Sequence, residues 1–352
     1  WIILWKDAPD LGNVAMSLGL QRTKSGTFIA GDQNANRVIE FDMFGNLVRQ
    51  WNLAKLGYTF HHDIVEEDDG NFLITVNKTG AVLRHGQPRV QDHVIELSRS
   101  DGSVMHEWDL ANMVDTSRYL KRDSSQPDFV AQTPNNWAHN NSIIPFSNYI
   151  LTTMRYQGII GYSRTGQLRW ILSAHKYWKP AYQPFLLSPV DESGAPVTDP
   201  AVIDGDRSVS GFDWPWGPHT PVALSDDRFL VFDNGYFRHW MSNVTNANQN
   251  YSRVVEYKID LDKKTVRQVW SYGESRGEQC FSQALSSVQY LSGTGNILFC
   301  PGMGAETSDG FGGRVVEISP ETKEVVFEME LTAPSSTAFY RVTRMPLYPD
   351  NL

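Results

Sequence analysis

Three segments of this 352-residue chain share one phrase: a histidine followed, ten residues later, by an aromatic residue that opens an apolar run. They read His62 to Phe72-Leu73-Ile74, His139 to Tyr149-Ile150-Leu151 and His219 to Phe229-Leu230-Val231. Such a repeat implies one supersecondary unit used several times, with a histidine at the same station in each copy. Copies set around a common axis bring the three imidazoles to one point. That expected convergence makes them the first candidates for a site.

The repeat extends beyond the histidines. An apolar strand, a polar turn and a second strand ending in a large apolar residue recur along the chain. The copies are Arg37 to Phe41 then Leu47 to Trp51, His93 to Leu97 then Val104 to Trp108, and Ile159 to Tyr162 then Leu168 to Trp170. They continue as Arg253 to Tyr257 then Val266 to Trp270, and Arg314 to Ile318 then Val325 to Met329. The turns Phe44-Gly45-Asn46, Asp101-Gly102 and Thr165-Gly166 have hairpin chemistry. β-Branched and aromatic enrichment with period-two alternation makes these segments strands.

Each copy therefore supplies an inner hairpin that starts at the histidine station and an outer hairpin after it. Four antiparallel strands, repeated with variable insertions, predict a β-propeller. The first copy has Leu18 at the station before Phe28-Ile29-Ala30, and the fifth has Ser286 or Ser287 before Ile297-Leu298-Phe299. A sixth copy is split, with Tyr340 to Met345 as an inner strand and Trp1 to Trp5 as an outer one. The expectation is an all-β, six-bladed β-propeller of four-stranded antiparallel blades, one domain over residues 1–352. Its last blade is closed by N- and C-terminal strands, which removes exposed edges. Insertions fall at 111–136 and 173–212; the second, rich in Pro and Gly, reads as a long loop over one face. Trp51, Trp108, Trp170 and Trp270 at strand ends read as packing between blades.

Composition bounds the function. Hydrophobic residues at 41% and aromatics at 12% supply a large core and exclude a disordered chain. A formal charge of −9 argues against binding nucleic acid or an anionic membrane wholesale. No apolar run is long enough to span a bilayer as a helix. No signal-peptide core opens the sequence at Trp1, so any leader is expected to lie outside it. Cys280 and Cys300 can be two free thiols or one bridge, and they are too few for a disulfide framework or thiolate metal site. Sequons at Asn77, Asn243 and Asn250 are compatible with secretion.

In a propeller the innermost strands line the central channel, so His62, His139 and His219 are expected at one mouth. Asn141 lies two residues after His139 and shares its side by strand alternation. Arg155 follows the second strand of that copy and is placed to reach the same opening. Alternation turns His61 away from His62. His85, His93, His106, His175 and His239 have no such registration and read as surface or local contacts. One histidine opening a buried strand is ordinarily structural; three in one register beside Asn141 and Arg155 point to function. Two chemistries fit. Neutral imidazoles can ligate zinc, copper or manganese, as in a metal-dependent propeller lyase acting on acidic sugars. Imidazolium, amide and guanidinium can instead converge on a tetrahedral oxyanion, and Arg155 favours this anion site. A non-catalytic propeller that binds partners on its face is a third reading, and it leaves the registered histidines without a purpose.

Several local words point further. Asn136-Trp137-Ala138-His139-Asn140-Asn141, Phe212-Asp213-Trp214-Pro215-Trp216-Gly217-Pro218-His219, Val231-Phe232-Asp233-Asn234-Gly235, the stretch Tyr251 to Asp260 and the stretch Thr265 to Gly273 resemble the bacterial arylsulfate sulfotransferases. The resemblance implies a six-bladed propeller that moves a sulfuryl group from one phenol to another, with no nucleotide donor, metal or other cofactor. It makes His219 the transiently sulfated residue and matches His139 and Asn141 to the family's His-x-Asn pair. Arg155 and His62 match its remaining arginine and histidine. On this reading His219 attacks the sulfur, Arg155, His139 and Asn141 hold the sulfuryl oxygens, and His62 moves the proton of the phenol. Tyr340 and Trp216 are assigned to flank the aromatic ring. The partners implied are an aryl sulfate donor and a phenolic acceptor, and the compartment is periplasmic or secreted. Bacterial members usually carry an N-terminal β-sandwich that helps them dimerise; the propeller begins directly here, which leaves the oligomeric state open.

Overall fold

A computed structural model describes residues 17–80, 83–84, 87–88, 90–118, 136–241, 249–334 and 336–346. The chain clusters into two compact units, the first made of 1–113, 140–143 and 343–352, the second of 114–139 and 144–342. The described residues form an all-β propeller fold of four-stranded antiparallel blades, five of them.

Unit 1 holds blades 1 and 2. Blade 1 is Ser17–Arg22, Phe28–Asp32, Arg37–Phe41 and Leu47–Asn52, in chain order across the sheet. Blade 2 is Tyr58–Glu66, Phe72–Lys78, Asp92–Leu97 and Val104–Asp109. The middle strands of each are buried on both faces, which explains why Phe72–Val76 and Val94–Leu97 read as nearly unbroken apolar runs. The outer strands are mostly exposed, with Trp51 and Trp108 as their buried residues. The Trp51 ring meets Phe72 of the next blade edge-on at 5.5 Å between centroids. Gly31 of blade 1 lies under the Phe60 ring of blade 2, where a Cβ would come within 2.1 Å of it, so no larger residue fits there without displacing that ring. Arg99 ties the two blades by ion pairs to Glu40 and, at 3.1 Å, to Glu66.

Unit 2 holds blades 4 and 5 and most of blade 3. Blade 3 is Asn140–Phe146, Tyr149–Met154, Gly158–Ser163 and Leu168–Leu172, and the first four residues of its first strand cluster with unit 1. Blade 4 is Pro218–Ala223, Arg228–Asp233, Arg253–Asp260 and Thr265–Tyr272. Blade 5 is Ser287–Leu291, Asn296–Cys300, Gly310–Ile318 and Val325–Leu331, with Ala305–Thr307 paired to the start of its third strand. Trp170 stacks on Phe229 of the next blade at 6.3 Å, and the Trp270 indole N–H donates to Pro320 O at 2.9 Å. The expected role of the strand-end tryptophans is borne out at Trp51, Trp170 and Trp270.

Three expectations need correction. Among the described residues the structure shows five blades, not six. Tyr340 to Met345 forms no strand: Val342 N–H donates to the Ser287 hydroxyl at 3.1 Å, so the segment is held by scattered bonds instead of a ladder. Trp1 to Trp5 lies outside the described residues, as do 119–135 of the first insertion and His85. The second insertion is more than a loop. It carries a 3-10 turn at Pro180–Phe185, a short helix at Pro200–Ile203, and strand Ser188–Val190, which pairs in parallel with Thr265–Arg267. That added strand covers the outer edge of blade 4, an edge otherwise open to unwanted pairing. Of the two states open to Cys280 and Cys300, the structure has free thiols, buried in different core clusters.

Candidate active site

A left-handed residue lies at the station or one residue beside it in every described blade. The φ values are +63° at Gly19, +62° at His62, +53° at His139, +46° at Thr220, and +61° and +86° at Leu285 and Ser286. Strand register shifts at the same places, between Leu18 and Gln21, Phe60 and Ile64, and His219 and Val222. A bulge of this kind interrupts the two-residue alternation and re-aims the side chains beside it. Gly19 shows one reason for the kink. A Cβ there would lie 2.9 Å from Ile64 N, so the bulges of blades 1 and 2 pack backbone against backbone.

The candidates divide between the units: His62 and Asn141 belong to unit 1, and His139, Arg155, His219, Trp216 and Tyr340 to unit 2. In unit 1 the bulge overturns the alternation expected for His61. Its ring does not turn away from His62; their Nδ1 atoms lie 2.9 Å apart. One of the two must donate and the other accept. Burial lowers His61 from 6.5 to about 4, so His61 stays neutral and its Nδ1 can accept a hydrogen bond from the half-buried His62 ring. The segment Asn140–Ile143 is anchored alongside by Ile143 N–H, which donates to Asp63 Oδ2 at 3.3 Å, and Asn141 is buried there.

In unit 2, Arg155 sits directly beside His139, its N–H donating to His139 O at 3.1 Å. Its guanidinium is 2% exposed and lies over the Tyr236 ring at 3.8 Å. Nη1 donates to Gln283 O at 2.7 Å, while Nε and Nη2 have no hydrogen-bond partner among the described residues. No carboxylate pairs with it among the described residues. His139 Nδ1 accepts from the Asn136 side-chain amide at 3.1 Å, which leaves the ring hydrogen on Nε2 when the imidazole is neutral.

His219 is buried and has the opposite arrangement. Its Nδ1 lies 2.8 Å from Thr220 Oγ1, and that hydroxyl donates to Ser286 O at 3.1 Å. Tyr340 meets the His219 ring edge-on at 5.4 Å between centroids. Trp216 does not line a surface. It is buried in the core of unit 2, with its indole N–H on Asp213 Oδ1 at 3.1 Å and its ring against Trp240. It supports the His219 segment from behind.

That support is a buried lattice of two aspartates and two arginines. Arg238 pairs with Asp213 at 2.5 Å and Asp233 at 3.1 Å; Arg253 pairs with Asp233 at 2.8 Å. Asp233 also accepts Trp216 N–H at 2.8 Å, and Arg253 donates to the carbonyls of Asp213 and Trp214. Burial alone would raise the Asp213 carboxyl, but Arg238, His239 and Arg253 hold it well below the carboxylate range. Balanced charge lets the lattice stay ionised in the core and fixes the backbone from Asp213 to His219.

Tyr236, Thr220 and the lattice were not expected from sequence. Asp213, Asp233 and Arg253 lie inside the words that carried the resemblance, and Thr220 and Tyr236 directly follow two of those words. Among the described residues, no three His, Cys, Asp or Glu side chains gather as a metal ion would require.

The family model described as Arylsulfotransferase (ASST) matches residues 1–341. The arylsulfate sulfotransferase AssT of Escherichia coli O6:H1 is 30% identical over 94% of this chain, and AssT of Lelliottia amnigena is 28% identical over 92%. The chain spans 60% and 58% of the length of those two relatives. A crystal structure of a Bacteroides caccae protein of unknown function is 13% identical, with TM-score 0.50 over 91% of this chain and 85% of that one, a likeness of fold alone. With the family model matched along nearly its whole length, this chain belongs to the arylsulfotransferase family.

Proposed function

We propose that the chain moves a sulfuryl group from an aryl sulfate to an acceptor phenol, in two steps joined by a sulfated His219. The observation that carries the reading is Arg155: a guanidinium buried without a carboxylate among the described residues, with two unpartnered N–H-bearing nitrogens, beside His139. A buried cation of this kind is matched by an anionic ligand. The family membership and the two AssT relatives support the choice of aryl sulfate as that anion.

The hydrogen-bond partners support a division of roles among the histidines. His139 presents Nε2–H and, with Arg155 and Asn141, holds the sulfuryl oxygens. His219 supplies the nitrogen that bonds to sulfur as the aryl O–S bond breaks. By analogy with phosphoryl transfer, charge spreads over the non-bridging oxygens with entering and leaving groups in line, so placement and charge stabilisation carry most of the catalysis. His62, supported by neutral His61, protonates the departing phenolate and later accepts the proton of the incoming phenol. Phenols suit the scheme because a pKa near ~10 makes them acceptable leaving groups and accessible nucleophiles. The reaction is assigned to the periplasm or the cell exterior, and recovery of activity only from the cytosolic fraction would count against that.

Steady-state kinetics test the proposal. Varying an aryl sulfate against an acceptor phenol should give the parallel reciprocal plots of a ping-pong reaction; intersecting plots contradict the covalent step. His219→Ala should release no phenol even in a single turnover, and a persisting burst rules out His219 as the nucleophile.

A further inference from the structure

Thr220 occupies a backbone conformation that threonine rarely adopts. Its φ of +46° is left-handed, and a β-branched residue there is strained. The stations of the other described blades use glycine, histidine, leucine or serine at that conformation. The strain places the Thr220 hydroxyl between His219 Nδ1, 2.8 Å away, and Ser286 O, 3.1 Å away. Ser286 is fully buried, and a carbonyl oxygen can only accept. Were the hydroxyl to donate to Nδ1 instead, two oxygens would face each other with no hydrogen between them.

Resting on the sulfated-His219 reading, we infer that Thr220 is a positioning residue that fixes the tautomer of His219. The hydroxyl proton goes to Ser286 O, its oxygen accepts Nδ1–H, and the Nε2 lone pair is thereby committed to sulfur. In the step itself the Nε2–S bond forms and the aryl O–S bond breaks with its electron pair leaving on the phenolate. The Nδ1 hydrogen stays on the ring throughout. Sulfation makes the ring cationic, which strengthens its bond to the threonine oxygen at the moment the charge appears. The opposite tautomer would turn an N–H toward the sulfur and stop the reaction.

Nitrogen-15 NMR of protein labelled in histidine reads the tautomer directly, with His219→Gln used to assign the signal. The wild-type protein should show a protonated Nδ1 and an unprotonated Nε2 at neutral pH; the reverse overturns the inference, whether or not His219 becomes sulfated. Thr220→Val should slow the single-turnover burst of phenol by about 100-fold, as loss of a ring-orienting partner does elsewhere. The donor KM should stay near wild type, and Thr220→Ser should restore most of the rate. A wild-type burst in Thr220→Val also overturns the inference. An Nδ1–H tautomer in a protein that never forms a sulfuryl adduct leaves the tautomer assignment standing and removes the covalent mechanism, so the two failures are distinct.

Discussion

Replacing Arg155 by methionine separates a residue kept for chemistry from one kept for folding. The guanidinium is buried with one backbone acceptor, a ring beneath it and no carboxylate among the described residues. An uncompensated buried charge costs about 3–5 kcal/mol, judged from the effect of breaking buried ion pairs. Against this stand a charged hydrogen bond to Gln283 O of about 1.5–3 kcal/mol and a desolvated cation–π contact with Tyr236 of about 2 kcal/mol. Methionine has a similar reach and removes all three terms, so its net effect on stability should lie within about 2 kcal/mol of zero. Catalysis should respond quite differently. Loss of one preorganised donor to a developing oxyanion costs about 100- to 1,000-fold in kcat. Inorganic sulfate should raise the urea midpoint of the wild-type protein and leave that of Arg155→Met unmoved. Urea unfolding with and without sulfate, beside single-turnover phenol release, supplies every number. A variant destabilised by more than about 3 kcal/mol would show that the guanidinium is a structural clasp and refute the reasoning.

Other outcomes follow from the same structure. Trp170→Ala removes the ring stacked on Phe229 between blades and should cost about 3–5 kcal/mol in urea unfolding; a cost below about 1 kcal/mol would mean the blades do not depend on that contact. Burial lowers His61 from 6.5 to about 4, so the unfolded chain takes a proton that the folded protein refuses. That contribution to stability is intact above pH 6.5, and about 3 kcal/mol is lost as pH falls to 4. His61→Gln should flatten this part of the unfolding–pH profile, and an unchanged slope would contradict the assignment. Burial pushes the Cys280 thiol up to about 11 and Cys300 up to about 12. A disulfide reagent near neutral pH should therefore label both only after denaturation, and prompt labelling of the folded protein would count against their burial.

Sequence reading reached the blades because their outer hairpins obey local rules. Val-Ile-Glu or Val-Val-Glu phrases, turn glycines and strand-end tryptophans each reflect one hairpin packing on the next, and Arg37–Phe41 begins and ends where the pattern predicts. The blade count failed where those rules lose force, at Tyr340 to Met345, whose backbone is satisfied by a side chain instead of a neighbouring strand. Within the site, spacing located the histidines, but alternation misplaced His61 because a left-handed residue at His62 breaks the period of two. The sequence offers Trp216 to the substrate because an aromatic beside a candidate histidine looks available; its burial depends on Trp240 and other core residues distant in sequence. The Asp213, Asp233, Arg238 and Arg253 lattice was invisible for the same reason, since charge pairing in a core leaves no periodic trace.

The proposed mechanism requires a bond between sulfur and one nitrogen of His219. Brief exposure to an aryl sulfate without acceptor, acid-free quenching and peptide mass mapping should find the mass of one SO3 group on the peptide containing His219. Adding a phenol before the quench should discharge it. Unmodified peptide together with released phenol, or the added mass on any other residue, contradicts the mechanism.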